Sequence, residues 1–222
     1  MLAAADMVIE NRPVADIGTD HGFIPAFLLI EGRCPFAVMT DINKGPLERC
    51  AENMQSLGIS PKLYDLRIGD GFAPLKAGEV SSAVIAGMGG ELIQSMFENA
   101  PDDLAWLERA VLQPRTHSDD LRAFLTGSGY RICDYRLVRE RGRICEVFAV
   151  EHCNAGEYKI DDGLVSRFLL EKGDPLLAEF VDRKIYSVNS VLLSLENANN
   201  SSSDRALWAA LLQQFEDIRK NL

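Results

Sequence analysis

The sequence predicts an α/β fold in which a mostly parallel sheet with an antiparallel last strand is followed by a C-terminal helical hairpin. Two patterns support this prediction. From residue 14 to about 113, short apolar segments alternate with longer helical patterns, which is typical of βαβ units with helices on both faces of the sheet. Beyond residue 158, apolar residues recur at spacings of three and four, as on the packed face of a helix.

The elements of the sheet follow in chain order. The five segments predicted as parallel strands are Val14–Ile17, Ala37–Thr40, Leu66–Ile68, Ala83–Ala86 and Ala110–Leu112. The helices predicted between them are Phe23–Ile30, Pro46–Leu57, with proline in its first turn, and Glu91–Glu98. A further helix is expected at Asp119–Leu125. Because these strands are parallel, all of them should end at the same edge of the sheet.

Two consecutive strands without a helix between them should close the sheet. They are Tyr130–Val138 and Ile144–Val150, and the arginine-rich segment Arg139–Arg143 should join them as a hairpin loop. The C-terminal pattern predicts two packed helices, Ala178–Leu195 and Trp208–Leu222, around a polar turn at 197–203. We therefore expect one domain over residues 1–155 and a helical hairpin over 156–222.

Composition narrows the class of protein. The 222 residues are 47% hydrophobic, enough for a sizeable core, and no apolar run approaches the roughly 18 residues of a membrane-spanning helix. The opening residues lack the basic start of a signal peptide. Five scattered cysteines, never spaced as Cys-x-x-Cys, favour reduced thiols, a cytoplasmic protein and no metal site.

The formal charge of −10 argues against a general nucleic-acid binder. The one basic stretch is residues 115–143, where seven arginines face four acids. It could contact phosphates, or it could form ion pairs within the chain, for example with Asp134, Glu140 or Glu146.

A glycine-rich turn follows the first strand, in the segment Asp16–Gly22. Such a turn lets the backbone approach a ligand at the carboxyl end of a strand. Asp20 stands where a dinucleotide-binding motif would have a second glycine, and two carboxylates would repel a pyrophosphate. S-adenosylmethionine, with a sulfonium and an ammonium group, suits an acidic turn better. A simple tight turn between strand and helix is the alternative.

Four more turns follow predicted strands. Acids after the second strand often bind ribose hydroxyls, although Asp41 could instead cap the next helix. Glycines that allow close backbone approach follow the fourth strand, with Met88 as an apolar surface for a flat ring, and an amide and a cation follow the fifth. The four turns are Asp41-Ile42, Gly69-Asp70-Gly71, Ala86-Gly87-Met88-Gly89-Gly90 and Gln113-Pro114-Arg115. All lie where open α/β sheets bind ligands.

Three strings, ADIGTDHGFIP, IAGMGG and LQPR…LRAFL, resemble in order and spacing the TrmK family of bacterial tRNA (adenine-N1)-methyltransferases. The resemblance covers residues 2–150 by motif and the rest by architecture. It implies a class I methyltransferase domain with a Rossmann-like sheet, a C-terminal coiled-coil-like hairpin, S-adenosylmethionine as cofactor, and tRNA as partner. The implied reaction is methylation of N1 of the adenine at tRNA position 22. We also expect a monomer or weak dimer.

The resemblance also implies site residues. Asp16 and Gly18 would line the methionine part of the cofactor, Asp41 its ribose, and Asp70 with Gly71 its adenine. The predicted cofactor-binding set is Asp16, Gly18, Asp41, Ile42, Asp70, Gly71, Ala86 and Gly87. The predicted substrate-binding set is Met88, Gly89, Gln113, Pro114, Arg115, Arg139, Arg141 and Arg143.

Asp20, together with His21, would face the target base and act as the catalytic pair. Two alternatives stay open: Asp20 could accept backbone N–H groups of its own turn, and His21 could be packed or cap a helix. The rival functions are a methyltransferase for a small molecule or protein, a non-catalytic cofactor-binding module, and a nicotinamide-binding domain.

Overall fold

A seven-stranded sheet forms the centre of the protein. The computed structural model describes residues 1–100, 104–153, 159–197 and 202–222. Its strands are β1 (Val14–Ile17), β2 (Ala37–Asp41), β3 (Tyr64–Ile68), β4 (Ser82–Met88), β5 (Arg109–Pro114), β6 (Tyr130–Glu140) and β7 (Arg143–His152). Its α-helices are α1 (Leu2–Ala5), α2 (Phe23–Ile30), α3 (Lys44–Ser56), α4 (Gly90–Glu98), α5 (Ser118–Gly127), α6 (Arg167–Lys172), α7 (Leu177–Asn197) and α8 (Ser202–Lys220).

The strand order confirms the predicted fold class. The strands lie in the order β3-β2-β1-β4-β5-β7-β6; β1 to β5 are parallel, and β7 runs antiparallel to both of its neighbours. The direction in which successive strands are added reverses between β1 and β4. Open α/β sheets bind ligands outside the strand ends at such a point. We call the edge where β1 to β5 end the carboxyl edge.

Alternate residues of the strands face two apolar layers. Ile17, Ile85 and Leu112 belong to one core, on the side of α4, α5 and α7. Val14 and Val111 belong to the other core, which includes residues of α1 and α2. The side chains of a strand alternate in this way because its period is two. Asp16 lies two residues after Val14 in β1, so its side chain is on the same face of the sheet, toward α2.

The turn between β6 and β7 is tighter than the predicted loop Arg139–Arg143, and that prediction was wrong. The strands pair as far as Glu140 and Arg143, which leaves Arg141 and Gly142 as the turn, with φ of 46° and 78°. Two successive positive φ angles suit the right-handed twist of a two-residue hairpin. Charged side chains disguised the strand ends, because residues 139–143 at the turn are exposed.

The C-terminal helices share the core of the sheet. Phe180 and Val181 of α7 and Phe215 of α8 are buried in the same cluster as Leu137 of β6. The two long helices confirm the predicted hairpin architecture, and α6 was not predicted. The polar turn falls largely on residues 198–201 and the proposed boundary on 154–158, both outside the described residues, so the division at residue 155 stays a prediction.

A buried ion pair ties α5 to the chain that leads into α6. The Arg122 side chain is fully buried; it lies 3.1 Å from the Asp161 carboxylate and donates to the carbonyls of Asp161 and Gly163 at 3.2 and 2.8 Å. Asp161 in turn accepts the Ser166 hydroxyl at 2.5 Å. A buried charge with one partner removed is costly, so these contacts fix the segment firmly.

No helix within the described residues is long and apolar enough to cross a membrane.

Candidate functional site

Three glycines let the loops after β1, β4 and β5 pack tightly against each other. Gly18 has φ of 69°, and a Cβ atom there would lie 1.7 Å from the terminal methyl of Met88. A Cβ on Gly90 would lie 2.4 Å from the carbonyl oxygen of His117. The backbone leaves no room for a side chain at Gly90, and a side chain at Gly18 would have to displace the Met88 methyl and adopt a strained positive φ. The glycine motifs read from the sequence therefore bring neighbouring loops together, and Met88 covers the turn after β1.

The loop after β4 is held by the residues that follow β5. The Gly87 N–H donates to the Gln113 side-chain oxygen at 2.9 Å, and the Arg115 N–H donates to the Met88 carbonyl at 2.7 Å. Gly87 has φ of 80°, and the Arg115 guanidinium lies over its Cα. Ala86 and Gly89 are partly buried in this loop and Pro114 is buried. The structure thus brings the predicted residues of β4 and β5 together.

Asp16 is a buried carboxylate at the end of β1. It is 8% exposed and forms no ion pair with any described residue. Burial raises its pKa to about 6, and a hydrogen bond with Thr19 offsets this only partly. A carboxylate that lacks a cation at the point where a sheet binds its ligand suits an ammonium group. Asp16 therefore fits the cationic methionine end of S-adenosylmethionine.

The predicted ribose- and adenine-binding residues line the neighbouring strand ends. Asp41 ends β2, and its carboxylate accepts the Asn43 N–H at 2.7 Å, immediately before α3. This bond reaches the N–H of Asn43, the residue before α3, and not an N–H group of the helix itself, so it is not the helix cap that the alternative expected. Ile42 is exposed beside it. After β3, Asp70 is exposed and Gly71 is buried with φ of 50°.

Asp20 is held by two side chains. The Arg49 guanidinium donates to the Asp20 Oδ1 through Nη2 and, at 3.1 Å, through Nε. His21 Nε2 lies 3.3 Å from the Asp20 Oδ2. The hydrogen bond from Arg49 holds the pKa of Asp20 below its usual value. Asp20 is therefore an exposed, ionised carboxylate that can stabilise a nearby positive charge.

The observed contacts match neither a backbone-binding role for Asp20 nor a helix-capping role for His21, although His21 is partly packed, as one alternative expected. Within the turn, the Gly22 N–H is accepted by the Thr19 hydroxyl at 3.1 Å, which is the role the alternative gave to Asp20. Gly22 is the residue before α2 and has no side-chain cap. The His21 side chain is half-buried and stacks on Phe23 with the ring centres 5.2 Å apart. Both residues thus present side chains to the solvent at the carboxyl edge.

Sequence analysis missed Arg49 and Phe23. Arg49 lies in the middle of α3, 29 residues from Asp20, and no local motif connects the two. Phe23 belongs to the quoted string ADIGTDHGFIP, but it was interpreted only as the first residue of a helix. The sequence feature that could have identified it is an aromatic residue directly after the glycine-rich turn, at the start of an apolar helix.

The predicted arginines divide into two groups. Arg139 binds Glu179 of α7 through both of its terminal nitrogens, at 2.8 and 2.6 Å. Arg183 shares that carboxylate and donates to the Gly142 carbonyl at 2.7 Å. The hydrogen bonds from Arg139 and Arg183 lower the pKa of Glu179 to about 2. These contacts fasten the β6–β7 turn to α7.

Arg115, Arg141 and Arg143 form no ion pair with a described residue. The antiparallel register places the β6–β7 turn at the carboxyl edge, beyond the end of β5. We call Arg141 and Arg143 the arginine tip. Of the intramolecular pairs that the alternative named, the structure contains only Arg136 with Asp134, at 2.7 Å.

Within the described ranges, no three His, Cys, Asp or Glu side chains lie together as metal ligands would.

Comparisons with known proteins identify the family and support the fold. The family model for tRNA (adenine(22)-N(1))-methyltransferase, TrmK, matches residues 14–217. The tRNA (adenine(22)-N(1))-methyltransferase of Bacillus subtilis is 31% identical over 97% of this chain and 92% of its own. A Streptococcus pneumoniae structure, a candidate tRNA (m1A22) methyltransferase in complex with S-adenosyl-L-methionine, is 25% identical, with a TM-score of 0.86 over 98% of this chain and 97% of its own. The B. subtilis TrmK crystal structure has the same fold, at 23% identity, a TM-score of 0.84, and coverage of 98% and 96%.

The buried carboxylate of Asp16 should reduce the stability of the ligand-free protein. We expect Asp16→Asn to raise the free energy of unfolding at pH 7.5 by about 1 to 3 kcal/mol, because one pKa unit corresponds to about 1.4 kcal/mol. The pKa of Asp16 is higher folded than unfolded, so the wild type gains stability as the pH falls. The advantage of the variant should therefore shrink between about pH 6 and pH 4.

Urea denaturation at several pH values measures this difference. Asp182→Asn, at an exposed ion pair with Arg219, is the matched control and should show no such pH dependence. If the free energy of unfolding depended on pH in the same way in Asp16→Asn and in the wild type, that result would contradict the energetic cost assigned to burying Asp16.

Proposed function

The chain belongs to the tRNA (adenine(22)-N(1))-methyltransferase family, and on that premise we propose how its residues perform the reaction. The reaction transfers a methyl group from S-adenosylmethionine to N1 of an adenine in tRNA, at position 22. The observation that carries the proposal is the ionised Asp20 beside the cofactor turn, held by Arg49 and His21. It places a fixed negative charge where a cationic base would form.

The cofactor would lie along the turns at the carboxyl edge. Asp16 would bind the ammonium group beside Gly18, Asp41 with Ile42 would bind the ribose, and Asp70 with Gly71 would bind the adenine. Ala86 and Gly87 would form the floor under the methionine part. When bound, S-adenosylmethionine supplies a methyl group attached to a positively charged sulfur.

Catalysis would depend on the charge of Asp20. Attack by the N1 lone pair breaks the bond between sulfur and methyl and moves the positive charge onto the base, with no proton transfer needed. Because its pKa is lowered, Asp20 is a weak proton acceptor, and we assign it electrostatic stabilisation of the charged ring. His21 would hold Asp20 in place from the side opposite Arg49.

The tRNA would contact the residues around this opening. Met88 and Gly89 would border the target base with Gln113 and Pro114. Arg115, Arg141 and Arg143 would bind phosphates, and Arg139 would support the arginine tip through Glu179. A protein of charge −10 needs such a local cationic surface, because its net charge opposes binding to a polyanion. We also propose that the protein is cytoplasmic and that it is a monomer or a weak dimer.

One assay tests the proposed reaction. The purified protein should transfer label from S-adenosylmethionine to unmodified tRNA transcripts, and nucleoside analysis should find 1-methyladenosine, lost when the adenine at position 22 is replaced. Labelling of a protein or small molecule but not tRNA would favour the rival substrates. Cofactor binding without transfer to any of them would favour a non-catalytic module.

Asp20 should act mainly in the transition state. We expect Asp20→Ala to lower kcat by about a hundredfold or more while the cofactor affinity stays within a few fold. With saturating cofactor, protonation of Asp20 should not lower the wild-type kcat between pH 8 and pH 5, because the Arg49 hydrogen bond keeps this carboxylate ionised. Asp182→Asn serves again as the control. Loss of cofactor binding in a folded Asp20→Ala protein would instead place Asp20 in the cofactor site.

The arginine tip should govern the salt dependence of tRNA binding. Each phosphate contact contributes about 0.7 to 0.9 to the slope of log affinity against log salt. Arg141→Ala with Arg143→Ala should flatten that slope by about 1 to 2 and raise KM for tRNA, with kcat changed less. Adding Arg139→Ala should weaken binding further by loosening the turn.

The matched control is Arg12→Ala with Arg131→Ala. These side chains are similarly exposed, at 56% and 55%, but they lie at the opposite edge of the sheet, before β1 and at the start of β6. A salt slope that is equal in the wild type and the tip variant would contradict phosphate binding by the arginine tip.

A further inference from the structure

Phe23 is a large apolar side chain exposed beside the candidate catalytic carboxylate. It is the first residue of α2, and 49% of its surface is accessible although the other face of that helix is deeply buried. Single exposed apolar residues are common on protein surfaces, so exposure alone carries no meaning. The position and the contacts of Phe23 set it apart.

The Phe23 ring lies in a stack. Its centre is 5.2 Å from that of the His21 ring, with an angle of 25° between the planes. His21 Nε2 also lies 3.3 Å from the Asp20 carboxylate, whose other oxygen is bound by Arg49. The two rings are therefore fixed in orientation with respect to Asp20, through one continuous series of contacts.

The backbone also fixes this arrangement. The Asn53 side chain donates to the His21 carbonyl at 2.8 Å, and the Gly22 N–H is bound by Thr19. Gly22 has φ of 65°, and a Cβ there would lie 2.8 Å from the Met39 sulfur. The turn therefore leaves little freedom for the two residues on either side of Gly22, and the stack is pre-organised.

A base that reacts at N1 must leave its stack and its pairing partners, which costs a few kcal/mol. Proteins that hold unpaired bases recover much of that cost on aromatic side chains, at about 1 to 3 kcal/mol per base. An adenine methylated at N1 is also cationic, and the face of an aromatic ring attracts a cation. A flat, exposed aromatic pair next to a fixed carboxylate can stack with the unpaired base and can stabilise its positive charge.

We propose that Phe23, supported by His21, is the platform on which the target adenine stacks while Asp20 faces its charged ring. This inference rests on the proposed function and adds a substrate-binding residue to it. It gives His21 a second role, as the lower ring of the platform. Leucine at position 23 would keep the apolar volume but lose the aromatic face, whereas tyrosine would keep that face.

The test compares Phe23→Leu and Phe23→Tyr. We expect KM for tRNA to rise about tenfold in Phe23→Leu and to stay within about twofold in Phe23→Tyr, with cofactor affinity unchanged in both. Ile30→Ala, at the other end of α2 and 56% exposed, is the matched control and should behave like the wild type. Unchanged cofactor affinity shows that each variant is folded.

A second measurement reports stacking directly. In tRNA carrying 2-aminopurine at the target position and bound with S-adenosylhomocysteine, stacking on Phe23 should quench the fluorescence. The Phe23→Leu complex should then be brighter than the wild-type and Phe23→Tyr complexes. Wild-type KM and wild-type fluorescence in Phe23→Leu would overturn the platform. A wild-type protein that methylates no tRNA would instead refute the proposed function itself.

Discussion

The site depends on close contacts between neighbouring loops at three glycines. Met88 occupies the space above Gly18, Arg115 lies over Gly87, and the backbone at residues 116–117 closes on Gly90. A Cβ atom on Gly90 would meet the backbone of residues 116–117, and one on Gly18 would meet the Met88 side chain, so the turns after β1, β4 and β5 come this close only without side chains there. In the same segment, a buried carboxylate, Asp16, and an ionised, exposed one, Asp20, lie four residues apart.

The environments of these two acids separate their chemistry. Desolvation raises the pKa of Asp16 to about 6, so it responds to a cation that arrives at the site. The Arg49 guanidinium lowers the pKa of Asp20, which therefore stays charged whether or not a ligand is present. Pairs of carboxylates with opposite shifts commonly divide the work of an active site. In the proposed mechanism, this division corresponds to binding the cofactor and stabilising the methylated base.

The sequence predicted the parts of the site that depend on local pattern. The bounds of β1 and α2 match their predictions residue for residue, since the run of β1 ends at Gly18 and that of α2 lies between Gly22 and Glu31. The contacts that orient side chains join distant segments: Arg49 is 29 residues from Asp20, and Glu179 is 40 from Arg139. Such pairs leave no periodic signal. The six residues of α6 are too few to show a helical period, and the alternating charges at the ends of β6 and β7 resembled a loop.

The shared core of the sheet and the C-terminal helices has a further consequence. Val181 and Phe215 are buried against the same cluster as the strands that end at the site. A substitution at either position would act first on the fraction of folded chains, and so on how much protein survives proteolysis in the cell. Loss of methylation by such a variant would reflect abundance, with the turnover of each folded molecule intact. The helices thus influence the reaction through the stability of the fold.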